Sequence, residues 1–190
     1  MSALPSDLQI FHDAMDAADR EAESIAAKVT DEAFFWQPEE GRRWSIALCL
    51  DHLTMSNTIY GAAMRGAMDR ARAAGWTRRD PVRPGFFGRK FAESLEPPVK
   101  RRTKNPAKIT PRPLGDRAEV LRQYRAAHDD IRKLIVDAAG LDINRATFPN
   151  PFIGVVRVRV SSALHIIAAH DRRHLWQAEQ VRRLRAESFA

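Results

Sequence analysis

The sequence predicts an all-α protein, a four-helix bundle with a long crossover loop between its second and third helices. Three observations point there. Four stretches repeat apolar residues at intervals of three and four, which gathers them on one helical face. Only "VVRVRV" at 155–160 alternates as a strand would, and it has no evident partner strand. The segment 76–113 holds seven of the eleven prolines, and connections of that length are usually lids, binding loops or crossovers. With 190 residues, a single domain over 1–190 is expected, long enough to bury a substantial core.

The first helix is expected from Ser6, with Ser6 and Gln9 at capping-box spacing. Leu8, Phe11, Met15, Ala18, Ala22 and Ile25 form its apolar stripe. Thr30 to Arg43 reads as a connection with a short turn around "EAFFWQ". The second helix starts after Ser45 as N-cap and stops at Gly75. Its stripe is Ile46, Cys49/Leu50, Leu53, Tyr60, Ala63/Met64 and Ala67. Asp116 and Glu119 mark the start of the third helix and Gly140 its end, with Val120, Tyr124, Ala127, Ile131, Leu134 and Ala138 between them. The fourth begins near Ser161 or Ser162 and runs to about Glu187. "VVRVRV" is read as an extended approach to it. Within 76–113 only "GRKFAESL" has any helical character, so that segment is expected as a basic, proline-rich crossover loop.

Composition excludes several classes. A single cysteine, Cys49, rules out an intrachain disulfide framework and suits a reducing cytosol. No stretch of about 18 apolar residues is present, and no secretory leader opens the sequence, so a cytoplasmic protein without a membrane partner is expected. The net charge is +7. Residues 1–75 carry 7 basic and 12 acidic groups, residues 76–113 carry 11 and 3, and residues 114–190 carry 13 and 9. The excess of cations thus lies in the crossover, where an anionic ligand or a nucleic-acid backbone would be met.

The stripe of the fourth helix reads Ala163, Ile167, His170, His174, Gln177, Val181. His170 and His174 are one turn and about 40° apart, so both imidazoles leave one face. Two ligands fall short of a metal site, which usually takes three or more donors. His52, near the stripe of the second helix, is the candidate third. His165 lies about 140° round from His170 and is not a partner. His12, His128 and His165 are expected as hydrogen-bonded or half-exposed residues, and Cys49 as a small buried hydrophobe rather than a fourth ligand. Asp171 is a candidate to orient a neighbouring histidine, but is expected chiefly as a solvated helix residue. No Ser-His-Asp set or paired carboxylates emerge, so no catalytic side chain is assigned.

"RRWSIALCLDHLTMS" (42–56) and "ALHIIAAHDRRHLWQAEQVRR" (163–183) resemble the DinB/YfiT-like superfamily. The matching residues are Trp44-Ser45, His52-Leu53, and His170, His174 and Gln177. The resemblance implies a four-helix bundle with a divalent ion, zinc or nickel, held by His52, His170 and His174. It also implies relatives that use low-molecular-weight thiols, among them S-transferases and a maleylpyruvate isomerase. A metal-dependent enzyme acting on small molecules, of thiol S-transferase or hydrolase type, is therefore the expectation, with a low-molecular-weight thiol as possible co-substrate.

Gln177 is the candidate to orient an imidazole. Arg89, Lys90, Arg101 and Arg102 are candidates, by charge alone, to hold an acidic thiol. Trp44 and Trp176 are expected to pack, and Arg182, Arg183 and Arg185 to form a solvated helix end. The alternative is a non-catalytic bundle that binds nucleic acid or a protein through 76–113, with Phe86, Phe87 and Phe91 as stacking surfaces. DNA retention that survives metal removal would favour it, whereas metal-dependent thiol consumption would favour the enzyme. Homodimerisation is compatible with either.

Overall fold

The computed structural model describes residues 3–99, 105–112 and 115–187. It is mostly helical, as the periodicity requires. Four long helices make the bundle: α1 (Ser6–Ala27), α3 (Ile46–Ala73), α5 (Arg117–Asp137) and α6 (Val160–Glu187). Short α2 (Asp31–Phe35) covers the connection around "EAFFWQ", and α4 (Phe86–Leu95) lies in the crossover.

The core has two apolar halves. One joins the start of α1 (Leu8, Phe11, Met15) to the end of α3 (Tyr60, Met64, Met68), the end of α5 (Ile131, Leu134, Ile135) and the start of α6 (Ala163, Leu164, Ile167). The other joins the end of α1 (Ala22, Ile25), the start of α3 (Ile46, Leu50, Leu53), the start of α5 (Val120, Tyr124) and the end of α6 (Leu175, Ala178, Val181). Hence α1 and α6 point one way, α3 and α5 the other. Parallel α3 and α5 need a connection that climbs the bundle, and this is why the crossover is long.

That climb is the long crossover expected over 76–113, and its one α-helix, α4, falls on the "GRKFAESL" stretch. At its foot, Arg78 pairs with Asp7 at 2.6 Å and the Asp142 amide bonds the Trp76 carbonyl at 2.9 Å. α4 then lies on α6, from Gly85, whose amide donates to Ser162 Oγ at 3.0 Å, up to Glu96, which accepts from Arg172 Nε at 2.9 Å. Gly88 permits this approach, because a Cβ there would stand 2.4 Å from Ser162 Cβ and Oγ. A 3₁₀ turn at Ala107–Ile109 completes the climb. Ala92 faces the core while Phe86, Phe87 and Phe91 stay exposed, so α4 has apolar residues on two faces and its inward stripe is hard to read.

Several caps are as expected. Ser45 Oγ accepts from the Leu48 amide at 3.1 Å, Asp116 Oδ1 accepts from the Ala118 amide at 2.7 Å, and Gly75 follows α3 with φ +65°. Three readings need correction. Ser6 does not cap α1: the Pro5 carbonyl takes the Leu8 and Gln9 amides, and Gln9 bonds Asp13 instead. The last helical residue of α5 is Asp137, and Gly140 has no positive φ. "VVRVRV" does have a partner: β2 (Arg157–Arg159) pairs antiparallel with β1 (Thr147–Pro149). A three-residue strand ending in proline leaves no alternation to detect.

Candidate metal centre

Between the two apolar halves lies a belt of polar side chains from all four long helices, buried on α3, α5 and α6 and partly buried on α1. On one side of it α3 and α6 bring His52, His170 and His174 together, with one ligand nitrogen from each within 4.8 Å of the others. The one-turn spacing on α6 supplies two of them, as the stripe requires. The third comes from α3 because its His52 level packs beside the His170–His174 level of the antiparallel α6.

Their protonation is legible in the bonding. His52 Nδ1 lies 2.8 Å from the Ile109 carbonyl, which can only accept, so Nδ1 carries the proton and Nε2 keeps a lone pair. That Nε2 is 3.1 Å from His170 Nε2, which therefore donates when no ion is present. Two nitrogens held by one ion at about 2.0–2.1 Å each stand about 3 Å apart, so this spacing fits shared coordination. His174 Nδ1 is buried and without a hydrogen-bond partner. Burial, aided by His52 and Arg173, pushes the His170 pKa down to about 3. Burial and the neighbouring histidines hold His174 well below the usual range. Burial also lowers His52, against the opposing pull of Ile109 and Asp51. Three neutral imidazoles facing one point are what an imidazole-preferring divalent ion requires.

The walls are unequal. Trp44 stacks on His174 with centroids 5.6 Å apart and lies 4.8 Å from the His52 ring. It packs, as expected, but against the site. The end of the crossover covers His52: Ile109 is buried, its carbonyl also accepts from Asn105 Nδ2 at 2.8 Å, and buried Asp51 accepts from the Arg112 amide at 2.9 Å. His52 and His174 are buried and His170 is mostly buried, the least enclosed of the three.

The sequence profile of the DinB superfamily matches residues 14–178. The chain belongs to the DinB superfamily. No curated protein and no solved structure matches it. The family, the helical bundle and a histidine cluster that can hold a metal ion thus stand together for this DinB-superfamily chain.

Other expected residues fall elsewhere. Cys49 is buried with its thiol pushed up by burial, and it is not in the cluster. Gln177, as expected, is a hydrogen-bond partner of His174, opposing the effect of burial there, and His52 is oriented through a backbone carbonyl no sequence motif marks. Arg89 and Lys90 pair with Glu93 on exposed α4; Arg101 and Arg102 lie outside the described residues. Arg182 and Arg183 pair with Glu179, but Arg185 is not simply solvated, since it bonds Glu32 and lies over Trp36. Arg173, overlooked in the sequence, is the cation whose field reaches all three histidines.

Asp171 is the main correction. It is 1% exposed, because α6 buries a second stripe, Leu164, Ala168, Asp171, Leu175 and Ala178, against its neighbours. It accepts from Asn57 Nδ2 at 3.1 Å and lies 3.5 Å from His128 Nε2. His128 is fully buried and also meets Asp19 at 2.7 Å. Burial pushes the His128 pKa down, but Asp171 and Asp19 on either side outweigh it and raise it to about 9. His12 and His165 are, as expected, neither fully buried nor ligands of the cluster: His12 sits 3.4 Å from Asp16, and His165 stands edge-on to Phe11.

Proposed function

We propose that this DinB-superfamily chain is a metal-dependent enzyme for small molecules, with His52, His170 and His174 holding one zinc or nickel ion and a low-molecular-weight thiol as co-substrate. The observation that supports it is the convergence of three neutral imidazoles within 4.8 Å. When bound, the ion supplies a Lewis acid and a positive charge that favours a thiol's deprotonated form. The chain's own residues arrange that position. Ile109 fixes the His52 tautomer, Trp44 closes the side at His174, and Arg173 adds a positive field that favours an anionic thiol or carboxylate.

Nucleic-acid binding through 76–113 has less support: three of the seven described cations there, Arg78, Arg89 and Lys90, are committed to Asp7 and Glu93. The test is metal content of protein purified without a nickel column, beside His52→Ala and His170→Ala. About one equivalent in the parent, lost in both variants, is expected, followed by metal-dependent consumption of glutathione with a chloroaromatic electrophile. A parent that takes up neither zinc nor nickel would refute the reading.

A further inference from the structure

The proposed chemistry leaves the rest of the polar belt unused, although His128 and Asp171 within it are buried almost completely. Asp19 of α1 meets His128 of α5 at 2.7 Å, His128 meets Asp171 of α6 at 3.5 Å, and Asp171 accepts from Asn57 of α3 at 3.1 Å. One chain of contacts therefore passes through all four long helices at a single level. It lies where the two apolar halves of the core meet. Arg132 of α5 braces its outer end, bonding Asp16 at 2.8 Å and also Asp19. Asp171 sits between the two ligand histidines of α6, and Asn57 lies five residues beyond His52 on α3.

The belt also has unfilled bonding capacity inside it. Asn57 Oδ1 and Tyr124 Oη are buried without a hydrogen-bond partner, while His128 Nε2 and Asp171 Oδ2 face each other as an ion pair at 3.5 Å. The four residues are contiguous: Tyr124 and His128 have ring centroids 4.3 Å apart, and Asp171 touches both His128 and Asn57. Two of these atoms can only accept, and two, the tyrosine hydroxyl and a doubly protonated imidazole, can donate.

Apolar layers tolerate sliding and rotation, because dispersion contacts have no direction. Directed polar layers do not, and a buried polar residue fixing helix register is the best-attested use of such groups. We propose that Asp19, His128, Asp171 and Asn57 lock α6 against α3 in the rotation and register that bring His170 and His174 to His52. His128 is then a positioning residue for the metal centre without touching it. This deepens the metal reading above and rests on it for its effect on affinity, but the register itself is set in the metal-free protein.

The experiment uses the full chain, checked as folded by circular dichroism, with His128→Gln and Asn57→Ala, the latter cutting the chain of contacts without altering its charges. Cobalt(II) titration reads affinity and the visible ligand-field bands. Long-range proton–nitrogen spectra of the metal-free protein read the ring nitrogens of His52 and His170. About tenfold weaker cobalt binding with shifted bands is expected for His128→Gln, and a smaller loss in the same direction for Asn57→Ala. The paired ring signals of His52 and His170 should change in both without metal. His128→Gln/Asp171→Asn, which removes the unpaired buried carboxylate, should recover part of the affinity.

Parental ring signals and parental cobalt affinity in folded variants would overturn the proposal. If His128→Gln does not fold, Asn57→Ala decides it alone. A parent that binds no cobalt sinks the metal reading instead, and the metal-free ring signals still decide whether the belt sets the register.

Discussion

Two groups of histidine occupy one level of the bundle and behave oppositely. At the candidate metal centre three imidazoles face one another, each partner's positive charge is unwelcome, and burial lowers their pKa values. A helix face away, His128 is at least as buried, yet two carboxylates raise it to about 9. Burial disfavours charge in both places. What differs is the sign of the neighbours, and that sign divides a layer suited to a cation from one that already contains its own. Asp171 divides them physically, one residue from His170 but turned towards His128.

The largest expected effect tests the neutral side. His174→Ala removes a buried ligand and should weaken zinc binding by about a hundredfold or more. Competition with a chromophoric chelator measures it, and unchanged affinity would mean that the cluster does not bind the ion.

Next comes the pH dependence of stability, where the two groups pull apart. His128 is raised from 6.5 to about 9, so its contribution is complete below pH 6.5 and is lost as pH rises through about 9. At 1.36 kcal/mol per unit this is about 3 kcal/mol at most. The triad has lowered values, so in metal-free protein its contribution is present above pH 6.5 and is lost as pH falls towards about 3 for His170. Urea midpoints should therefore be greatest near pH 6 to 7. His128→Gln should remove the alkaline decline and leave the acid one, and an alkaline decline that persists in the variant would show that His128 is not its cause.

The described part of the crossover roofs the neutral side at His52, so disturbing its foundation should separate the two groups further. Gly88→Ala drives a Cβ into Ser162 and should cost about 1–3 kcal/mol as overpacking. Hydrogen exchange should quicken first in α4 and at Ile109, with the amides around His128 little changed. Uniform quickening through α5 would argue against an independent crossover.

The smallest effect is at Ser45, which caps the helix carrying His52. Ser45→Ala should cost about 1 kcal/mol in thermal or urea unfolding, with metal affinity unaltered once folded. A large drop in affinity would mean that the cap positions Trp44 or His52 directly.

The sequence by itself determined the four long helices, because each must bury a stripe and the three-and-four repeat declares it. It determined the His170–His174 pair too, since one helical turn fixes their common face. His52 was legible as a candidate from the edge of the α3 stripe and from a family resemblance. The gap in that stripe between Leu53 and Tyr60 marked the level of Asn57, and His128 sits between Tyr124 and Ile131 on the stripe of α5, so the belt left a trace. Reading it needs partners more than a hundred residues apart. Only the tertiary structure decided that Asp171 is buried, that β1 pairs with β2, and that an Ile109 carbonyl sets the tautomer of His52. Each of these depends on which helices lie side by side, and local periodicity contains no term for that. A backbone carbonyl carries no side-chain identity, and a carboxylate on a second stripe looks solvated until its neighbours are known.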